Sequence, residues 1–122
     1  MDQLKELEST FLEEYESAKI LIGLSKNKSA IILLSKALFA LTDYIIFKKY
    51  KKLPKNHSER FRILKEKEFE VYEKLDKIWD KYTNSYSKPT LNESIALLRN
   101  TIKEIIEKNE AISKKIKESV KK

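Results

Sequence analysis

Apolar side chains in this sequence recur at intervals of three and four, and little interrupts them: the chain has one Gly, two Pro and no Cys in 122 residues. That spacing paints stripes on helices, because positions three and four apart share a helical face. Leu4, Leu7, Phe11, Tyr15, Ala18 and Ile22 form the first stripe, on a helix expected over about 2–23 and closed by Gly23. Asn27 is placed to cap a second helix, over about 27–49, whose span from Ala30 to Phe47 is apolar on most of its circumference. Lys36 and Asp43 interrupt that run, each costing roughly 2.5 to 3.5 kcal/mol at membrane depth, so a core helix fits better than a membrane span.

Residues 48–56, with Pro54 among them, form the main break, and Asn56 followed by Glu59 has the form of a capping box. A third stripe follows: Phe61, Leu64, Val71, Tyr72, Leu75, Ile78, Trp79 and Tyr82. It belongs to a helix over about 57–83, which the charged stretch Lys65 to Glu68 slackens enough to split near 66. After a polar turn over 83–89, Thr90 and Glu93 repeat the capping signature before a last helix over about 91–120. Leu91, Ile95, Leu98, Ile102 and Ile105, then Ile112 and Ile116 beyond Asn109, resemble a coiled-coil seam with one polar position. Unbroken, that helix would be roughly 45 Å long and would overhang the roughly 30 Å first helix. The expected architecture is all-α: one domain over 1–122, a four-helix, or with the split five-helix, up-down bundle. A domain of this size needs no metal or disulfide to hold it. The start Met1-Asp2-Gln3-Leu4 lacks the basic and apolar segments of a secretory signal, so the expected location is cytoplasmic, with no membrane partner.

The formal net charge is +7. Residues 1–24 hold two bases and six acids, whereas residues 48–65 hold eight bases and one acid. Those bases are Lys48, Lys49, Lys51, Lys52, Lys55, Arg60, Arg62 and Lys65, interleaved with Tyr50, His57 and Phe61. Lysines on a connecting segment suit sequence-independent contact with phosphates, and a neighbouring Tyr or His can stack on an unpaired base. The alternative is that the run only solvates one end of the bundle. The Lys and Ile load, with one Met and no Cys, is the composition of heat-adapted proteins.

Most catalytic chemistry is excluded by what is missing. One His and no Cys rule out a His/Cys zinc site, a Cys nucleophile and a two-His iron site, and a helical-bundle di-iron site would need a second His. A single glycine cannot build a phosphate-cradling loop, and no nucleophile elbow presents a serine to His57. No cofactor or metal is expected. Lys36 and Asp43 lie seven apart, on one face of the second helix, where they could line a groove with Arg99 and Asn100 of the last helix and hold a phosphate or a base. The alternative is structural: an exposed strip of a mostly buried helix, or an Asp43–Arg99 pair between helices.

The layout as a whole resembles the HEPN superfamily (higher eukaryotes and prokaryotes nucleotide-binding) over roughly residues 8–108. The resemblance rests on the acidic first helix with Tyr15, Ser17 and Ala18, and on Leu33 to Leu64, an apolar alanine-bearing helix, a basic loop and the Pro-Lys-Asn-His-Ser that opens the next helix. Tyr82 to Thr90 and the helix from Leu91 are similar to the family's Tyr-containing connection and closing helix. HEPN ribonucleases carry an Arg, four to six residues, then a His. Here Arg99 and Asn100 match the Arg and the polar residue after it, but Glu104, Ile105 and Ile106 stand where the His would fall. An Arg serving His57 would fall at Tyr50, Lys51 or Lys52. The resemblance therefore implies a non-catalytic member that binds a nucleotide or RNA, or pairs with a nucleotidyltransferase, and forms homodimers. Two alternatives remain: a ribonuclease toxin with a degenerate site, and a purely structural module assembling through the long last helix.

Overall fold

The computed structural model describes residues 2–83 and 90–121, with the backbone alone over 79–83. Among them are six helices and no strand: α1 (Gln3–Gly23), α2 (Asn27–Tyr50), α3 (His57–Lys67), α4 (Phe69–Thr83), α5 (Leu91–Glu107) and α6 (Lys114–Ser119). The side chains of Trp79 and Tyr82, and residues 84–89 of the expected polar turn, lie outside the described residues.

α1 starts at Asp2, whose carboxylate accepts the Leu4 N–H at 2.9 Å. It ends in a Schellman turn, with Lys26 N–H on the Leu21 carbonyl at 2.8 Å and Ser25 N–H on that of Ile22 at 3.0 Å. The left-handed residue of that turn is Ser25, at φ 59°, and not Gly23, which remains helical. The expected Asn27 cap is also displaced. Lys26 holds the N-cap position of α2 without a side-chain bond, and the Asn27 amide reaches across to donate to Asn92 Oδ1 at 3.4 Å.

α2 is the central element. α1 packs along one side of it, α5 and the start of α3 on others, while α4 rests on α3 and α5 and α6 returns to α1 and α5. Leu34, Ala37, Leu41, Ile45 and Ile46 are wholly buried in a cluster to which all six helices contribute, including Phe11 and Tyr15 of α1, Leu64 of α3 and Ile102 of α5. By length and composition α2 could cross a membrane, but 61% of its most apolar window is buried inside this bundle, as in the core helix of a soluble protein.

The third helix of the sequence reading is two, and the break falls at Glu68. Asn56 caps α3 by accepting the Glu59 N–H at 2.9 Å, and the full Thr90/Glu93 capping box opens α5. The single helix expected over 91–120 is also broken. α5 stops at Glu107, and Asn109 is no seam residue: its buried side chain accepts the Ala111 N–H at 3.1 Å and turns the chain, as Asn does in tight turns. Ser113 then caps α6, and Ile112, Ile116 and Val120 are buried within the bundle and do not project beyond it. Lys19 of α1 donates to the Ser119 carbonyl at 3.4 Å to close the contact.

The α1–α2 turn yields a stability prediction. A Cβ at Gly23 would meet nothing within 4 Å, so Gly23→Ala should stabilise by about 1 kcal/mol through helix propensity. Ser25→Gly should stabilise by a similar amount, about 1 kcal/mol, by relieving the left-handed Ser. Urea denaturation of both variants measures this, and a loss of stability in either contradicts the turn as described.

Candidate nucleic-acid interface

The basic connection begins where α2 ends. Lys51 adopts a left-handed conformation at φ 58° and its N–H bonds the Phe47 carbonyl at 2.9 Å, so the helix terminates inside the lysine run. The chain then crosses residues 52–56 as an irregular segment before Asn56 restarts it as α3. Lys48, Lys49, Lys51, Lys52, Lys55, His57 and Arg62 are exposed, whereas Arg60 is largely covered.

The structure sorts these cations into three sets. Lys49, Arg60 and Arg62 have carboxylate partners: Glu68 at 3.0 Å, Asp43 at 2.6 Å and, loosely, Glu66 at 3.8 Å. Lys48, Lys51 and Lys65 instead lie over aromatic rings, those of Tyr44, Phe47 and Tyr72, at 5.6 to 5.8 Å. A ring face attracts a cation without neutralising its charge. Lys52 and Lys55 make neither kind of contact among the described residues.

Arg60 carries the strongest pairing. Its Nε and Nη2 donate to the two oxygens of Asp43 at 2.6 and 2.9 Å, a fork-on-fork arrangement. Its Nη1 lies 2.6 Å from Nδ1 of His57, which must accept because a guanidinium only donates. Phe39 completes the cluster, with its ring centroid 4.9 Å from the guanidinium carbon and 4.7 Å from the imidazole. The groove expected from Lys36, Asp43, Arg99 and Asn100 is therefore not assembled as drawn, since Asp43 is taken by Arg60 of α3 and not by Arg99. Lys36 instead lines a cavity of about 710 Å³ with His57, Arg60, Phe39 and Ile31. Asn100 is exposed, and Arg99 keeps a buried Nε with no partner among the described residues. The signal for the Asp43–Arg60 pair was available: Asp43 is the sole acid in an apolar helix, and Arg is the residue suited to a covered carboxylate.

A second cluster, unforeseen from the sequence, ties the end of α2 to the α3–α4 break. The Tyr50 hydroxyl donates to the Glu68 carboxylate and lies 3.2 Å from the Lys67 carbonyl, while Lys49 reaches the other oxygen of Glu68. Burial first, then the Glu68 hydrogen bond and charge, push the Tyr50 phenol up to about 12. Glu104, which stands where a HEPN ribonuclease would carry His, bonds Lys74 at 2.6 Å, and that bond holds it below the usual carboxylate range.

No family model, curated protein or solved structure matches this chain.

Two predictions test the clusters. Arg60 and Asp43 side chains are only 11% and 13% exposed, so Asp43→Ala, which strands the guanidinium, should cost about 3 kcal/mol. The Asp43→Ala/Arg60→Ala double variant should cost much less than the sum of the single changes in denaturant unfolding; additive losses would deny the pair. For Tyr50, a phenol whose folded pKa is raised stabilises the fold fully below pH 10 and loses that contribution as pH rises toward 12. Ultraviolet difference titration of the parent against Tyr50→Phe should show a late-ionising phenol that the variant lacks.

Proposed function

We propose that this protein is a non-catalytic HEPN-like up-down bundle that binds single-stranded RNA by its phosphates, through the connection between α2 and α3. The observation that carries the reading is the way charge is left over there. Lys52 and Lys55 have no carboxylate within reach among the described residues, and Lys48, Lys51 and Lys65 rest on rings in place of acids. Lysines so arranged keep their full charge for a polyanion and supply no base-specific fork, which suits sequence-independent binding.

The absence of chemistry follows from the same residues. His57 and Arg60 are engaged with each other and with Asp43 and Phe39, three residues apart on one helix turn, and not in the spacing of the ribonuclease motif. Glu104 is kept anionic by Lys74, which is the wrong charge to face a phosphate and the wrong state to donate a proton.

Fluorescence anisotropy of a labelled oligouridylate across a salt series tests the proposal. Affinity should fall with salt, with a log–log slope of roughly −0.7 for each phosphate contacted. Lys52→Ala/Lys55→Ala should make that slope shallower by roughly 1.4. Absence of binding at low salt, or a slope the double variant leaves unchanged, would overturn it. A slope corresponding to one or two contacts that persists with a free nucleotide would reassign the site to a mononucleotide.

A further inference from the structure

Phe69 is the one large aromatic side chain among the described residues that the fold leaves open, at 53% exposed; the other exposed large apolar residues are aliphatic. Its position follows from the helix break. Glu68 interrupts α3–α4, and Phe69, as the first residue of α4, stands beside the break and outside the apolar stripe that begins with Val71.

The ring is nevertheless held from one side. It stacks on Tyr72 at 5.7 Å and 28°, and Tyr72 in turn meets Phe61 edge-on at 6.3 Å and 86°. Phe61 and Tyr72 are partly buried against the core, so the array is anchored in the bundle and Phe69 is its outermost layer. Phe69 also forms part of the wall of a cavity of about 320 Å³, at the lower end for a small-ligand site, where Lys49, Lys67, Lys74 and Lys108 outnumber Glu68 and Glu70. Lys49 and Lys74 are committed to Glu68 and Glu104. Lys67 lies over the Tyr50 ring at 5.1 Å, and neither it nor Lys108 has an ion pair among the described residues. Lys49 and the Tyr50–Glu68 tie make this cavity continuous with the end of the basic connection.

We infer that Phe69 is a base-stacking platform: the open face of its ring receives one unpaired base of a single strand whose phosphates run along Lys65, Lys67 and the lysines of the α2–α3 connection. The inference rests on the RNA-binding reading above and adds the site at which a base, and not only the backbone, is held. An aromatic face flanked by unneutralised lysines is how sequence-tolerant single-strand binders grip each base, since every base has a π-face. The charge chooses among occupants. An apolar side chain of a partner protein would gain nothing from Lys67 and Lys108, whereas a nucleotide brings the matching charge on its phosphate and a flat ring for the stack.

The test separates stacking from phosphate contact. Phe69→Leu keeps an apolar side chain and removes the ring, and at so exposed a position it leaves the core intact. Its affinity for a single-stranded oligonucleotide should fall roughly 5- to 150-fold, the range for loss of one stacked base, with the salt slope unchanged. Phe69→Trp should bind as well as the parent or better. A sugar–phosphate chain without bases should bind parent and Phe69→Leu equally, and 2-aminopurine in the strand should be quenched by the parent and not by Phe69→Leu. If the parent binds the oligonucleotide and Phe69→Leu binds it equally well, the stacking assignment falls while the phosphate reading stands. A parent chain that binds no oligonucleotide at low salt overturns both. Equal losses on the oligonucleotide and the base-free chain would make Phe69 a structural support of the lysine face and also overturn the assignment.

Discussion

Everything in this bundle is arranged around the need to cover α2. A helix that is apolar on most of its circumference cannot lie at a surface, and each fully buried Leu or Ile gains roughly 1.5 to 3 kcal/mol over its exposed state. α2 therefore calls for neighbours on several sides at once, and the rest of the chain supplies them: α1 through a three-residue turn, α5 from the far end of the sequence, α3 at its close. The single acid that α2 carries through this environment, Asp43, has to be answered by a cation with matching geometry. Arg60 does so with both oxygens satisfied, and in the same stroke fixes where α3 begins to run. The placement of the basic connection is thus set by a buried requirement, with the lysines left at the surface as a consequence.

Charge in this protein is organised by that scheme more than by its total. The cations with structural duties, Arg60 on Asp43 and Lys49 on Glu68, face acids across helix boundaries, where a pair also fixes the geometry of a junction. Between the same two junctions lie Lys48, Lys51, Lys52, Lys55 and Lys65, which have no ion pair among the described residues. Glu68 is central to this partition. It terminates α3, accepts from Tyr50 and Lys49, and its carbonyl receives the Tyr72 N–H at 3.0 Å as the first bond of α4. One residue thereby joins the end of α2, the end of α3 and the start of α4.

Helices were the most legible part of the sequence, because a 3–4 apolar spacing has no other economical solution, and caps with two reciprocal partners such as Thr90 and Glu93 leave a local signature. Asn109 shows where that legibility ends. Its neighbours continue the periodicity, so the pattern alone extends the helix to residue 120, and only the competition between Asn109's side-chain bond to Ala111 and the next helical turn decides otherwise. The candidate site was legible as a list of lysines and not as an arrangement. Which of them are neutralised depends on contacts such as Arg60 to Asp43 and Lys49 to Glu68, 17 and 19 residues apart, for which no local rule exists. Phe69 was invisible for a related reason: it lies off the apolar stripe, and nothing local marks it as standing open beside a helix break.

The return of α6 to α1 bears on how the chain acquires its structure. The α1–α2 hairpin is built from local contacts and can form as soon as residue 50 is available, but the bond from Lys19 to Ser119 joins residues 100 positions apart. During synthesis the flank of α1 that α6 covers stays wet until residue 119 has been made. At the rim of that flank Glu16 and Lys19 of α1 are charged and pair at 3.2 Å, so this edge is one that water tolerates. Beneath that rim, docking of α6 is what buries Ile112, Ile116 and Val120, so until the contact closes these apolar side chains stay open to other nascent chains.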